Sequence, residues 1–511
     1  MHKAATSADQ GARAHPLRAR RLGLETQHEP IVLMHVDCPV ARSEGLAARA
    51  QVEVFTDQAT ALATLYQVTG DLLATDQVGL SEVAWRRLGL QNEALVHVRH
   101  PQPVQSMSAV RAKLYGHKLD AAQLQQVIRD ITAERYSDVE LATFIAAFSS
   151  QPADIDEMVG LTRAMVEVGD RLAWDRPIAV DKHSVGGLPG NRTTPIVVAI
   201  AAAAGLIMPK TSSRAITSPA GTADAMETMA PVDLDIPAMR RVVEREGGCI
   251  VWGGSVRLSP ADDILIRVER ALDLDSPAQL VASVLSKKIA AGSTHVLLDI
   301  PVGPTAKVRS AQDAADLSAR LVAVAGRLGL SAKPFLSDGA QPIGRGIGPA
   351  LEARDVLAVL RGAAGAPLDL IDKAVQLAGS LLELAGAVQP GSGAAEAQKI
   401  LADGRALAKF MTICEAQGGF REPGVAPLRH VLTAPRVGVL AGLDNRLIAR
   451  VAKLAGAPRA PTAGIEMHAR LGDKVEKGQP LATVHGESPG ELGYALAFAE
   501  ANPNMLEVRA R

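Results

Sequence analysis

The chain holds three cysteines, Cys38, Cys249 and Cys414, too few and too widely spaced for a disulfide framework or paired zinc ligands. A reducing, cytoplasmic setting is the expectation. An excess of charge is also lacking, because 54 Lys and Arg stand against 55 Asp and Glu. With no global field to draw it, neither nucleic acid nor a membrane is an expected partner, and any anion site has to be built locally. No stretch is apolar for long enough to span a bilayer, and residues 1–30, rich in Ala and Arg, lack the apolar core of a signal peptide. They read as a flexible tail.

What is present is enough apolar material, 47% over 511 residues, for several packed domains. Residues 31–103 carry β-rich runs such as "IVLMHV" and "QVEVF" and read as a small barrel-like domain. Residues 104–174 turn to apolar spacings of three and four, as in "AAQLQQVIRDI", and read as a helical domain. From 175 to 425 short strands alternate with helices, which signals a mostly parallel sheet with returning helical segments. In that stretch a Pro/Gly/Ser break near Gln389 precedes one helical run, "AAEAQKILADGRALAKFMTICEAQ". Residues 426–511 read as an α+β domain; "GDKVEKGQPL" there resembles a carrier-domain hairpin but lacks the acceptor lysine, so a structural barrel is expected. The fold class is thus α/β and α+β, multidomain.

Chemistry concentrates in "VDKHSVGGLPGNRTT", where strand 178–181 leads through a Gly-rich loop to a helix near Thr194 and Pro195. Amides freed by Gly186, Gly187 and Gly190, hydroxyls of Ser184, Thr193 and Thr194, and the Lys182 cation converge on one helix N-terminus, which favours an anion such as phosphate. Asn191 stands where a Walker loop needs Gly, and the lysine precedes the glycines, so triphosphate hydrolysis is disfavoured. A tight strand–helix connection with no ligand remains the alternative for this loop alone. A metal is not expected at Asp181–His183, since neighbouring strand residues point in opposite directions.

A second loop, "PKTSSRAITSPAGT", follows strand 206–210 with Ser212, Ser213, Arg214, Thr217, Ser218 and Thr222. These hydroxyls serve either as turn caps or as ligand donors, and their density beside Arg214 points to a ligand. A third element, "QLVASVLSKKIAAG", puts Ser283 and Lys287 four apart on one helix face. Such a face is either ordinary solvated surface or, beside the loops, a grip for a polar base.

Taken together, "VDKHSVGG", "LTRAMVEVGDRLAW", "AGT" before a helix, "ASVLSKK" and "ARLGDKVEKGQPLA" resemble the thymidine and pyrimidine-nucleoside phosphorylases, in order from about Ser108 to Leu496. The resemblance implies a small helical domain facing a large α/β domain across a cleft, and a homodimer or larger homo-oligomer. It implies phosphorolysis of a nucleoside to free base and (deoxy)ribose 1-phosphate, with inorganic phosphate as co-substrate and no metal or organic cofactor. Phosphate binding falls on Lys182, Ser184, Gly187, Thr193, Thr194, Ser212 and Thr222; base contacts fall on His183, Ser283 and Lys287; His183, Lys287 and Asp275 are the candidates to neutralise the departing base.

Where the thymidine phosphorylases carry Gly-His-Thr-Gly-Gly-Thr, this chain has "ITSPAGT". With "PVGPTAKV" and the extra N-terminal domain, that loop resembles a second branch containing archaeal nucleoside monophosphate (AMP) phosphorylases, which give base and ribose 1,5-bisphosphate. In that case Ser213, Arg214, Ala215, Ile216, Thr217 and Ser218 with Lys307 would form a second anion pocket. Phosphoribosyl transfer, on the related anthranilate phosphoribosyltransferase fold, is the remoter alternative.

Overall fold

The computed structural model describes residues 15–91, 94–215, 218–272, 274 and 276–510. Backbone contacts divide it into two compact units, one reaching to Tyr115 and taking in Arg129–Ala147, the other formed by Gly116–Ile128 and Phe148 onward. The helical stretch, with helices Met107–Leu114, Ala121–Thr132, Asp138–Ser150 and Ile155–Glu167, is therefore shared between them. Among the described residues no helix is long and apolar enough to cross a membrane.

The first unit contains a closed six-stranded barrel, in spatial order Leu17–Arg21, Gln77–Leu80, Ile31–His35, Thr60–Val68, Gln51–Phe55 and Leu95–Arg99. Period-two alternation builds it: Val32, Met34, Val52, Val54, Val96 and Val98 all point inward and are fully buried. Within the stretch 1–30 expected as a tail, Leu17–Arg21 is a barrel strand pairing parallel with Gln77–Leu80, and residues 1–14 lie outside the described residues. Leu17 and Ala19 fill the interior while Arg18 stays outside on Asp76, 2.7 Å away. Its arginines belong to the outer face of a strand.

In the second unit, strands Ser331–Asp338, His295–Val302 and Val180–Ser184 form a parallel sheet. A parallel bridge from Ala179 to Ile207 carries it on to Met208–Ser212 and Gly248–Trp252. Both motif strands run further than the apolar runs suggest: pairing of Lys182, His183 and Ser184 with Leu297, Leu298 and Asp299 keeps all three on the strand. Behind the sheet, helix Thr193–Ala203 is buried nearly all round, as expected of an apolar sequence without a polar stripe. Helices Pro349–Leu360, Leu368–Leu384 and Arg405–Gln417 pack on it.

The run expected as one helix is two, Gly393–Ala402 and Arg405–Gln417, broken at Gly404 in the left-handed region (φ 84°). After Pro423 two small antiparallel sheets and helices Asn445–Leu454 and Pro489–Ala501 enclose an apolar cluster. The boundary expected at 425/426 is crossed: Gly346–Ile347 pairs with Gly464–Met467 as an edge strand of one of those sheets. Arg470 donates back to the carbonyl oxygens of Pro342 and Gly344.

Candidate active site

Side chains alternate across strand Val180–Ser184, and each face meets a different environment. On one face, Lys182 is 1% exposed and donates to Thr193 Oγ1 at 2.8 Å. Burial pushes its ammonium down to about 8 against the pull of Asp299, so it is mainly charged at neutral pH. Two residues on, the Ser184 hydroxyl accepts from Asn191 Nδ2 at 3.3 Å.

The glycines do what the loop needs. Gly187 sits at φ 80°, and a Cβ there would lie 2.2 Å from the Lys307 backbone nitrogen, so only glycine lets these two segments touch. Behind the loop, Asp299 is fully buried, accepts from Ser337 Oγ at 2.6 Å and lies 3.2 Å from Lys373. Burial alone would raise its carboxyl, but Lys182 and Lys373 outweigh that and hold it below the usual range.

The second loop closes the anion side. Thr222 opens helix Thr222–Glu227 and accepts from Arg192 Nη1 at 2.6 Å, while Arg192 also binds Glu352 through Nε at 2.7 Å. Asp224 Oδ2 gathers the amides of Ala215 and Gly221 at 2.6 and 2.7 Å, which fixes the loop's curl. Among the described residues, Ser212 Oγ is buried and finds no hydrogen-bond partner, a state that costs about 1–3 kcal/mol unless something binds it. Thr194, Ser212, Ser213 and Thr222 all line one cavity of about 780 Å³.

The other face of the strand carries Asp181 and His183. Asp181 is fully buried between two lysines, with Lys210 Nζ at 3.2 Å and Lys288 Nζ at 2.8 Å. Burial would raise its carboxyl, but the two cations reverse this and hold it low. Lys288 in turn is pushed down to about 7 by burial, against the attraction of Asp181. His183 reaches the cavity and sits among these charges; burial and then Lys288, Lys210, Lys287 and Lys182 hold its imidazole well below 6.5. It is a neutral ring at pH 7, able to donate an N–H hydrogen bond but not charged as an acid.

Helix Pro277–Ala290 brings Ser283 and Lys287 to the same cavity. Lys287 pairs with Asp262, which holds its ammonium above the ordinary range despite burial. The cavity thus collects Lys182, Ser184, Gly187, Thr194, Ser212 and Thr222 on one side with His183, Ser283 and Lys287 on the other. Thr193 does not line it and instead holds the Lys182 ammonium.

The residues expected to form a second anion pocket are divided. Ser213, Arg214, Ala215, Ser218 and Lys307 line the cavity. Arg214, however, is bound to Glu227 at 2.9 Å and stacks over the Trp252 ring at 4.9 Å, and the Ser218 hydroxyl donates to Ala220 O at 3.0 Å. Ile216, Thr217 and Asp275 lie outside the described residues. Among the described residues no group of His, Cys, Asp or Glu is arranged to hold a metal ion.

Sequence reasoning gave no site role to Asp181, Lys210, Lys288, Asn191, Arg192, Asp299 or Glu352. One signal was available for Lys210: a lysine inside the apolar strand "LIMPK" needs a buried counter-ion.

Comparison with known proteins agrees with this architecture. Residues 176–407 match the model of the "Glycosyl transferase family, a/b domain", residues 107–169 its "helical bundle domain", and residues 439–504 the "Pyrimidine nucleoside phosphorylase C-terminal domain". "Putative thymidine phosphorylase 2" of Acidovorax sp. (strain JS42) is 59% identical over 99% of this chain and 98% of that protein. "Putative thymidine phosphorylase" of Chelativorans sp. (strain BNC1) is 58% identical over 97% of each. Among solved structures, anthranilate phosphoribosyltransferase from Thermus thermophilus is similar in fold, with a TM-score of 0.52 and 21% identity over 60% of this chain and 99% of that one. The chain belongs to the thymidine and pyrimidine-nucleoside phosphorylase family.

Proposed function

We propose that the protein is a pentosyltransferase of the thymidine phosphorylase type, cleaving a pyrimidine (deoxy)nucleoside with inorganic phosphate. The observation that carries this reading is a single cavity with an anion cradle built around Lys182 on one side and uncharged or counter-balanced donors, His183, Ser283 and Lys287, on the other. A phosphate oxygen attacks C1′ of the sugar, the C1′–N bond breaks, and its electron pair leaves with the base. The nucleophile is already an anion, so the cradle only has to position it and needs no covalent intermediate.

On the base side, the neutral His183 ring donates a hydrogen bond to the departing base, and Lys287 offsets its developing negative charge. Asp275 is a further candidate to deliver the proton. The reaction requires no organic cofactor, and phosphate is the co-substrate. Release of free base from thymidine, uridine, AMP, CMP and UMP, with and without phosphate, tests the reading: base released from nucleosides only when phosphate is present supports it, and no phosphate-dependent release from any of the five sinks it. Release from monophosphates alone would replace it with nucleotide phosphorolysis, a reading weakened by the pairing of Arg214 with Glu227.

A further inference from the structure

The cradle hydroxyls do not stand alone. Arg192, the residue before helix Thr193–Ala203, lines the cavity, and all three of its guanidinium nitrogens bind protein groups. Nε and Nη2 hold Glu352 Oε2 at 2.7 and 2.5 Å, Nη2 also donates to Ala220 O at 3.0 Å, and Nη1 donates to Thr222 Oγ1 at 2.6 Å. Glu352 is 1% exposed and its other oxygen accepts from the Gly348 amide at 3.1 Å, so the whole assembly is anchored in the core. A guanidinium has no acceptor, and the Thr222 hydroxyl is therefore bound through its oxygen, with its hydrogen directed elsewhere.

Asn191 repeats the arrangement one residue earlier. Its backbone lies in the left-handed region (φ 54°), which Asn tolerates, and its amide nitrogen is tied to Ile343 O at 3.0 Å. The side-chain Nδ2 donates to Asp299 Oδ2 at 3.3 Å and to Ser184 Oγ at 3.3 Å. The ionised Asp299 can only accept, which settles that the NH₂ end of the amide faces both partners. Ser184, like Thr222, is bound through oxygen and lines the cavity.

We propose that Arg192 and Asn191 are positioning residues that act through Thr222 and Ser184. Each delivers an N–H to a cradle hydroxyl, so that the hydroxyl's own hydrogen turns to the bound phosphate and the cradle meets the anion with donors alone. The identity of the anion rests on the phosphorolysis reading; the geometry does not. A hydroxyl left free to rotate would present a lone pair to the phosphate part of the time, and a lone pair repels it.

The test is a pair of double-mutant cycles on the full chain, reading inorganic phosphate affinity by calorimetry and the KM values for phosphate and nucleoside. One cycle combines Arg192→Met with Thr222→Val, the other Asn191→Gly with Ser184→Ala. Glycine suits the left-handed backbone at 191, so the second cycle stands even if Arg192→Met, which strands Glu352, fails to fold. Each single substitution is expected to weaken phosphate about tenfold, with the nucleoside KM held within about twofold, and each double variant should bind within about twofold of its hydroxyl-deleted parent. Arg192→Lys, which keeps one donor, should recover part of the loss.

Additive losses, on the order of a hundredfold in the doubles, would overturn the proposal, as would equal losses for phosphate and nucleoside. A wild-type protein that binds no phosphate overturns it outright. A wild-type protein that binds phosphate but releases no base overturns the proposed reaction instead, and the binding cycles then decide this proposal on their own.

Discussion

The two faces of strand Val180–Ser184 solve opposite electrostatic problems within five residues. The Lys182 and Ser184 face sets hydroxyls around its lysine, with Thr222 and Ser184 held by the paired Arg192 and the neutral Asn191. The Asp181 and His183 face concentrates cations around one buried carboxylate, and burial together with those cations keeps the imidazole uncharged. The lesson is that a single strand can serve an anion that arrives charged and a leaving group that becomes charged, because alternation gives each its own set of contacts.

The comparison breaks most sharply at Lys182. Lys182→Met should lower kcat/KM by about a thousandfold and abolish measurable phosphate binding, while leaving the Asp181 cluster and the melting temperature little changed. On the opposite face the largest effect should fall on stability: Asp181→Asn leaves Lys210 and Lys288 buried without their counter-ion and is expected to cost about 3 kcal/mol in urea unfolding.

His183→Gln, which keeps a neutral donor of shorter reach, is expected to reduce kcat/KM for nucleoside about tenfold with the phosphate KM unchanged. Because the folded-state pKa of His183 is depressed, the ring stays neutral as pH falls from 7 to 6, and the nucleoside KM should be flat there. A limb near pH 6.5 that disappears in His183→Gln would contradict the neutral assignment. The smallest effect belongs to Lys182 again: phosphate affinity should fall as pH rises through about 8, where the ammonium loses its proton, and calorimetry between pH 7 and 9 reads it.

Local chemistry was legible in the sequence where a motif is contiguous. The strand, the Gly-rich turn and the helix start place Lys182, Ser184 and Thr194 around one cavity, and the four-residue spacing of Ser283 and Lys287 brings both to it. The supports were not legible, since Asp181 finds Lys210 and Lys288 through the pairing of strands and the packing of a helix from another part of the chain. Arg192 reached Glu352 and Thr222 for the same reason. The first barrel strand was missed because "LRARR" hides two inward positions, Leu17 and Ala19, among arginines.

The short strand Gly346–Ile347 has a bearing on how such a protein can be cut or recombined. It lends its hydrogen-bonding edge to strand Gly464–Met467, more than a hundred positions downstream, and it does so just before Gly348, whose amide reaches Glu352. A truncation at residue 425 would strip that edge of its partner and slacken the ground beneath the Arg192 anchor. The C-terminal region is therefore a keystone of the catalytic body, and a chimera that exchanges it would have to carry the 346–352 segment along.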